Sequence, residues 1–222
     1  MKISSPHTSL ERPHCSAHIF ILKMSVDIKG TVLVTGANGY IAGRVIEAFL
    51  LAGYHVRGTV RSASSVKALI SALENYHNNF DVVEVPDITA SGAFDEAVKG
   101  VDAVAHLAAP ISLSFDDPDP VIKAAVEGTT SILDSAIREP SIKSVLLMSS
   151  IAAIIGIREE DYNYTEKDWN TWVEGLLQKL GKNAPGNVIY AAEKTLAEKA
   201  FWQFRDEKKP TFAMTSINPV FV

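Results

Sequence analysis

Cys15 is the only cysteine among 222 residues, which excludes an internal disulfide and any cysteine-rich metal site and fits a reducing compartment. The chain has no window near the roughly 18 to 20 apolar residues needed to span a bilayer. His18 to Leu22 is too short for a signal-peptide core, and Pro6, Glu11 and Pro13 beside it suit that role poorly. No Lys/Arg cluster forms a track for a phosphate backbone, and 26 acidic against 21 basic residues leave a net charge of -5. Nucleic acid and membrane are therefore not expected as partners, and the cytoplasm is the expected location. There is no internal repeat and no low-complexity run. His7, His14 and His18 sit in a Pro/Ser-rich tail without a framework, so no metal site is expected.

What is present is enough to build a core: hydrophobic residues make up 47% of the chain, sufficient for one domain plus appendages. Residues 1–28 read as a disordered or spurious leader, with Met24 a natural start, and residues 29–222 as the folded domain. From residue 31 strand and helix patterns alternate. Strands are expected at 31–35, 55–60, 80–85, 102–108, 143–149 and 211–217, with helices near 39–52, 63–75, 91–98, 119–138 and 188–208. Apolar, β-branched strands alternating with helices imply an α/β fold with a doubly wound parallel sheet, the Rossmann arrangement. An excursion from Gly156 to Gly186, with a short helix near 168–180, breaks the rhythm. It falls between two candidate site segments and is expected to border the site.

Three motifs carry chemistry. Thr31 to Thr35 runs into Gly36-Ala37-Asn38-Gly39-Tyr40-Ile41-Ala42, a glycine turn between strand and helix. Such a turn lets backbone approach a pyrophosphate while free N–H groups and the positive dipole end of the helix face it. Ala42 replaces the usual third glycine, which close helix–strand packing tolerates. Val145 to Met148 delivers Ser149-Ser150 at a strand end. Tyr190 and Lys194 stand four apart and share one helix face. A phenol has a pKa of about 10, and a neighbouring ammonium would stabilise its phenolate, so the pair suits proton transfer to a developing alkoxide. Ser150 would donate to the same oxygen; Ser149 is the alternative donor, or it only caps the strand end.

Cofactor choice is read at the end of the second strand, where Thr59-Val60-Arg61-Ser62 offers no acid. This points to NADP(H), with Arg61 as anchor for a 2'-phosphate and Lys67 as helper, unless Arg61 is only a solvated loop residue. Asp87 either accepts from an adenine amino group or caps the following helix. His106 reads as a satisfied core residue, with the backbone after it passing beside the cofactor.

As a set, Thr35 to Ala42, Arg61, Asp87, Ala105 to Pro110, Ser149-Ser150, Tyr190 to Lys194 and Asn218-Pro219 resemble the extended short-chain dehydrogenase/reductases. The nearest likeness is to the dihydroflavonol reductase group and the yeast-type NADPH-dependent ketone, aldehyde and methylglyoxal reductases. The resemblance implies a catalytic trio of Ser150, Tyr190 and Lys194 acting with NADPH on an aldehyde or ketone. It implies cofactor contacts at Gly36, Asn38, Gly39, Tyr40, Ile41, Arg61, Lys67, Asp87, Ala108, Ala109, Pro110, Tyr190, Lys194, Asn218, Pro219 and Val222. Members of the group continue for roughly a hundred further residues into a smaller substrate domain. Most of that domain is therefore expected to be missing here. A non-catalytic NADP(H)-binding protein and a same-superfamily epimerase or dehydratase are the alternatives. Monomer and homodimer are both compatible with the helix patterns.

Overall fold

The computed structural model describes residues 28–76, 78–109 and 117–220. Six parallel strands form one sheet: β1 Thr31–Thr35, β2 His55–Val60, β3 Phe80–Glu84, β4 Ala103–His106, β5 Ser144–Met148 and β6 Ala213–Ile217. Their order across the sheet is β3-β2-β1-β4-β5-β6, so the chain reverses its winding between β1 and β4. In an open α/β sheet that reversal opens a crevice beyond the carboxyl ends of the strands.

The alternation along β1 explains why helices cover both faces. Val32 and Val34 point into a cluster with Ala42, Ile46 and Leu50 of helix α1 (Tyr40–Leu51). Leu33 points the other way, into a cluster with Ile132 and Leu133 of α3 (Pro118–Ala136) and Phe201 and Phe204 of α5 (Gly186–Lys208). A central parallel strand must be apolar on both faces, and the sequence of β1 meets that requirement. Asp117 caps α3 by accepting from the Asp119 N–H at 3.2 Å, and Pro118 opens its first turn.

Two expected helices are corrected. The 63–75 segment is divided into a 3-10 turn at Ala63–Val66, a short α2 at Lys67–Ala72 and a second 3-10 turn at Glu74–Tyr76. Serines are the cause at its start: the Ser62 hydroxyl accepts from the Ser64 N–H, and the Ser65 hydroxyl donates to the Ser62 carbonyl at 2.6 Å. The 91–98 segment is a chain of turns, because Gly92 sits at φ +71° and interrupts any helical run. Its apolar residues Phe94, Ala97 and Val98 are nonetheless buried against the sheet.

The 156–186 excursion carries α4 (Thr171–Leu180), and Val173 of that helix joins Val121, Val188, Ile189 and Ala192 in a small core of its own. The leader expected over residues 1–28 lies outside the described residues apart from Ile28.

Candidate functional site

A groove of about 630 Å³ opens at the carboxyl ends of β1, β2 and β3, within the size range of small-molecule sites. Gly36, Asn38, Gly39, Arg61, Asp87, Ala108 and Ala109 all line it. Gly36 has φ +67°, and a Cβ there would stand 3.0 Å from the Ala108 Cα, so a side chain at this position would be strained and would press on the backbone of Ala108. Gly39 precedes α1 without any side-chain cap, which leaves the N–H groups of that helix end for another partner. Thr35 locks the two strand ends together. Its hydroxyl oxygen accepts from the N–H groups of Leu107 at 3.0 Å and Ala108 at 2.9 Å, and lies 2.9 Å from His106 Nδ1. With two donors already on that oxygen, the Thr35 proton goes to Nδ1, so the imidazole is neutral. Burial and then the positive charge of Lys194 hold the His106 pKa down to about 3.

The serine turn follows β5. Ser149 donates its hydroxyl proton to Glu198 Oε2 at 2.5 Å. Ser150 is different: its hydroxyl oxygen accepts from the Ala152 N–H at 3.2 Å, and its own proton is not spent on that contact. Glu198 is the hub of this corner. Beyond Ser149 it accepts from Ser216 at 2.6 Å, Asn218 at 2.7 Å and Trp202 at 3.3 Å. Asn218 also donates to the Ser150 carbonyl at 3.2 Å, tying the segment after β6 to the serine turn. From the excursion, Asn170 donates to the Ala152 carbonyl at 3.0 Å while its side-chain oxygen caps α4 through the Val173 N–H. Neither Glu198 nor Asn170 stood out in the sequence. For Glu198 a signal existed, since positions 190, 194 and 198 follow one stripe of a helix.

Helix α5 brings in the remaining groups. Tyr190 is half-buried, and the Lys194 Nζ lies 5.8 Å from the centre of its ring. Lys194 is buried, and burial pulls its pKa below the usual ammonium value while the neighbouring Glu193 opposes that shift. Lys194, Glu193 and Ser149 line a cavity of about 10 Å³ together with Ala108 and Ala109. The last two residues also line the groove, so the Lys194 cavity and the groove share this stretch of chain as a wall.

The predicted residues therefore divide. The glycine turn, Arg61, Asp87 and Ala108-Ala109 gather at the groove; Lys194 and the serine turn meet beside it, with the 3-10 turn Ile151–Ala153 packed on α5. Tyr40 and Ile41 open α1, where the Tyr40 side chain is exposed. Lys67 is exposed and is not among the groove-lining residues. Asn218 and Pro219 serve the serine turn, Pro219 by accepting from the Ile151 N–H at 2.9 Å. Asp87 accepts from both the N–H and the hydroxyl of Thr89, at 2.9 and 2.7 Å, which closes a turn; no helix follows for it to cap. Pro110 and Val222 lie outside the described residues. Among the described residues no group of three or more His, Cys, Asp or Glu side chains is placed to hold a metal ion. No helix of the described residues is long and apolar enough to cross a membrane.

Sheet order, glycine turn and groove at the switch point together define the doubly wound α/β fold of the Rossmann type. The chain belongs to the NAD dependent epimerase/dehydratase family, whose model matches residues 32–220. It is similar to aldehyde reductase 2 of Sporidiobolus salmonicolor, with 40% identity over 193 residues that cover 85% of this chain and 56% of that protein. Among solved structures it resembles yeast methylglyoxal/isovaleraldehyde reductase Gre2 complexed with NADPH, at 32% identity and a TM-score of 0.76, covering 86% of this chain and 58% of that one. Vestitone reductase from alfalfa is matched at 28% identity and a TM-score of 0.70, covering 86% of this chain and 56% of that one. The chain thus spans 56% to 58% of the length of these relatives.

Proposed function

We propose that this chain carries the cofactor and catalytic machinery for NADPH-dependent reduction of an aldehyde or ketone to an alcohol, with Tyr190 as proton donor. One observation carries the reading: the buried Lys194 ammonium sits beside the Tyr190 ring, in a cavity whose Ala108-Ala109 wall is also a wall of the groove. The likeness to aldehyde reductase 2 and to the NADPH complex of Gre2 supports the same reaction class.

The groove fits a dinucleotide. Gly36 leaves a cradle that a Cβ would fill, and the uncapped N-terminus of α1 offers N–H groups and a positive dipole end to a pyrophosphate. Arg61 and Ser62 line the groove where an adenosine 2'-phosphate would be held, and Asp87 is the one acid lining it among the described residues. When bound, the nicotinamide supplies the hydride. The protein then has to hold the carbonyl oxygen and protonate it. Ser150 donates to that oxygen, since the contact with Ala152 uses its lone pair and not its proton. Ser149 is the weaker candidate, its proton being committed to Glu198. Tyr190 gives up the phenolic proton, and the Lys194 charge stabilises the phenolate left behind.

NADPH oxidation followed with a panel of aldehydes and ketones tests the reading. NADPH affinity without turnover on any carbonyl favours a binding protein instead. For the cofactor assignment, Arg61→Ala should weaken NADPH binding about tenfold or more while leaving NADH binding nearly unchanged, because only the 2'-phosphate loses a charge-assisted partner. Equal losses for both cofactors contradict the role given to Arg61.

A further inference from the structure

Glu193 is the one described residue whose buried side-chain oxygens have no hydrogen-bond partner. Its side chain is fully buried, and Oε1 lies 3.7 Å from the Lys194 Nζ, within ion-pair reach but beyond hydrogen-bond length. A buried carboxyl left in that state costs stability unless something uses it. Apart from this pair, the cavity wall is apolar or neutral. Helix α3 presents Ala125 and Thr129 to the shared cavity, β5 presents Met148 and Ser149, and the segment after β4 presents Ala108 and Ala109. The titratable groups nearby are few. On α5 itself they are Lys194, Tyr190 and Glu198, the last engaged by Ser149, Ser216, Asn218 and Trp202. From β4 comes His106, which is neutral and bonded to Thr35. On α4, Glu174 is occupied by Lys199.

We propose that Glu193 is a positioning residue for Lys194: its carboxylate draws the ammonium toward the cavity, and its protonated form frees the ammonium to serve Tyr190 and a bound nicotinamide ribose. The inference rests on the reductase reading given above and adds a proton-controlled setting of its lysine. Three features support it. The two side chains are adjacent in sequence yet both buried; Glu193 has no other partner; and the cavity they line, at about 10 Å³, is about the size of one water that could exchange a proton with either. Burial pushes the Glu193 carboxyl up to about 7, against the opposing pull of the Lys194 charge, so the switch falls near neutral pH. A carboxylate beside Lys194 also offsets part of the positive field that would stabilise a Tyr190 phenolate. Rising pH therefore weakens both functions of the ammonium.

The experiment is a pH titration of the full chain labelled with carboxyl-¹³C glutamate and followed by NMR, in wild type, Glu193→Gln and Lys194→Met. One carboxyl should titrate near pH 7, vanish in Glu193→Gln and move upward in Lys194→Met, where the opposing ammonium is gone. In parallel, NADPH affinity measured by fluorescence should fall about three- to tenfold in wild type as pH rises through the same range, with a smaller change in Glu193→Gln. Should a variant fail to fold, the wild-type spectrum still decides: all glutamates titrating near the ordinary value overturns the inference. A midpoint unmoved by Lys194→Met overturns it as well. NADPH binding that is intact but has the same pH dependence in wild type and Glu193→Gln overturns this inference alone. Absence of NADPH binding at every pH overturns the reductase reading on which it rests.

Discussion

Thr35 and Glu198 show how single side chains set the site before any substrate is involved. The Thr35 hydroxyl closes three contacts at the ends of β1 and β4, and in doing so fixes the path of Ala108 past Gly36. Glu198 gathers four donors from the turn after β5, α5 and the region of β6, and thereby holds both the serine turn and Asn218. Glu198→Ala should lower stability by about 2 to 4 kcal/mol in urea unfolding, because it strands the buried Ser149 donor and three part-buried donors that all point at one carboxylate. Glu198→Gln should lose less, since the amide oxygen still accepts. If the alanine variant unfolds at the wild-type urea concentration, the hub assignment is wrong. Neither role is announced by residue type. A threonine ending a strand and a glutamate in a long helix are common, and the contacts Thr35–His106 and Glu198–Ser149 span 71 and 49 positions in sequence.

At the level of elements, the strand–turn–helix from Thr31 to Leu51 is the most legible part of the molecule, because β-branched residues, two glycines and an amphipathic helix follow one another without ambiguity. Gly36→Ala tests its geometry. Positive φ and a 3.0 Å approach to Ala108 both oppose a methyl group, so a loss of about 1 to 3 kcal/mol in stability is expected, with impaired NADPH binding. Thermal unfolding and a fluorescence titration measure the two effects, and an alanine variant equal to wild type in both would refute the cradle. The turns at 91–98 were less legible for a physical reason. Phe94, Ala97 and Val98 have helical spacing and are buried, yet the left-handed Gly92 and the Asp95 side chain, which accepts from Ser135 at 2.7 Å, set a different path. Periodicity reports which residues are buried and not which backbone buries them.

For the whole molecule, alternating elements were sufficient to expect a doubly wound sheet, and the observed order β3-β2-β1-β4-β5-β6 is that sheet. The division of the site between a groove and an adjoining lysine cavity was not readable, because it depends on where Ala108 and Ala109 run after β4. Two buried groups give the fold opposing pH dependences. His106, lowered from 6.5 to about 3, contributes stability that is present above pH 6.5 and lost as pH falls toward 3. Glu193, raised from 4.5 to about 7, contributes stability that is present below pH 4.5 and lost as pH rises through 7. Between 4.5 and 6.5 the two slopes oppose each other, so Glu193→Gln should make stability climb more steeply with pH there. Urea unfolding across that window measures it, and parallel wild-type and variant curves would contradict the buried-carboxyl account.

The central claim is the proposal that Tyr190, supported by Lys194, protonates the carbonyl oxygen of the substrate. Steady-state NADPH oxidation by wild type and Tyr190→Phe, with the best aldehyde or ketone from the panel, tests it most directly. The account predicts a loss of roughly a hundredfold to ten-thousandfold in kcat, with NADPH affinity largely kept. Turnover by Tyr190→Phe at the wild-type rate would contradict it.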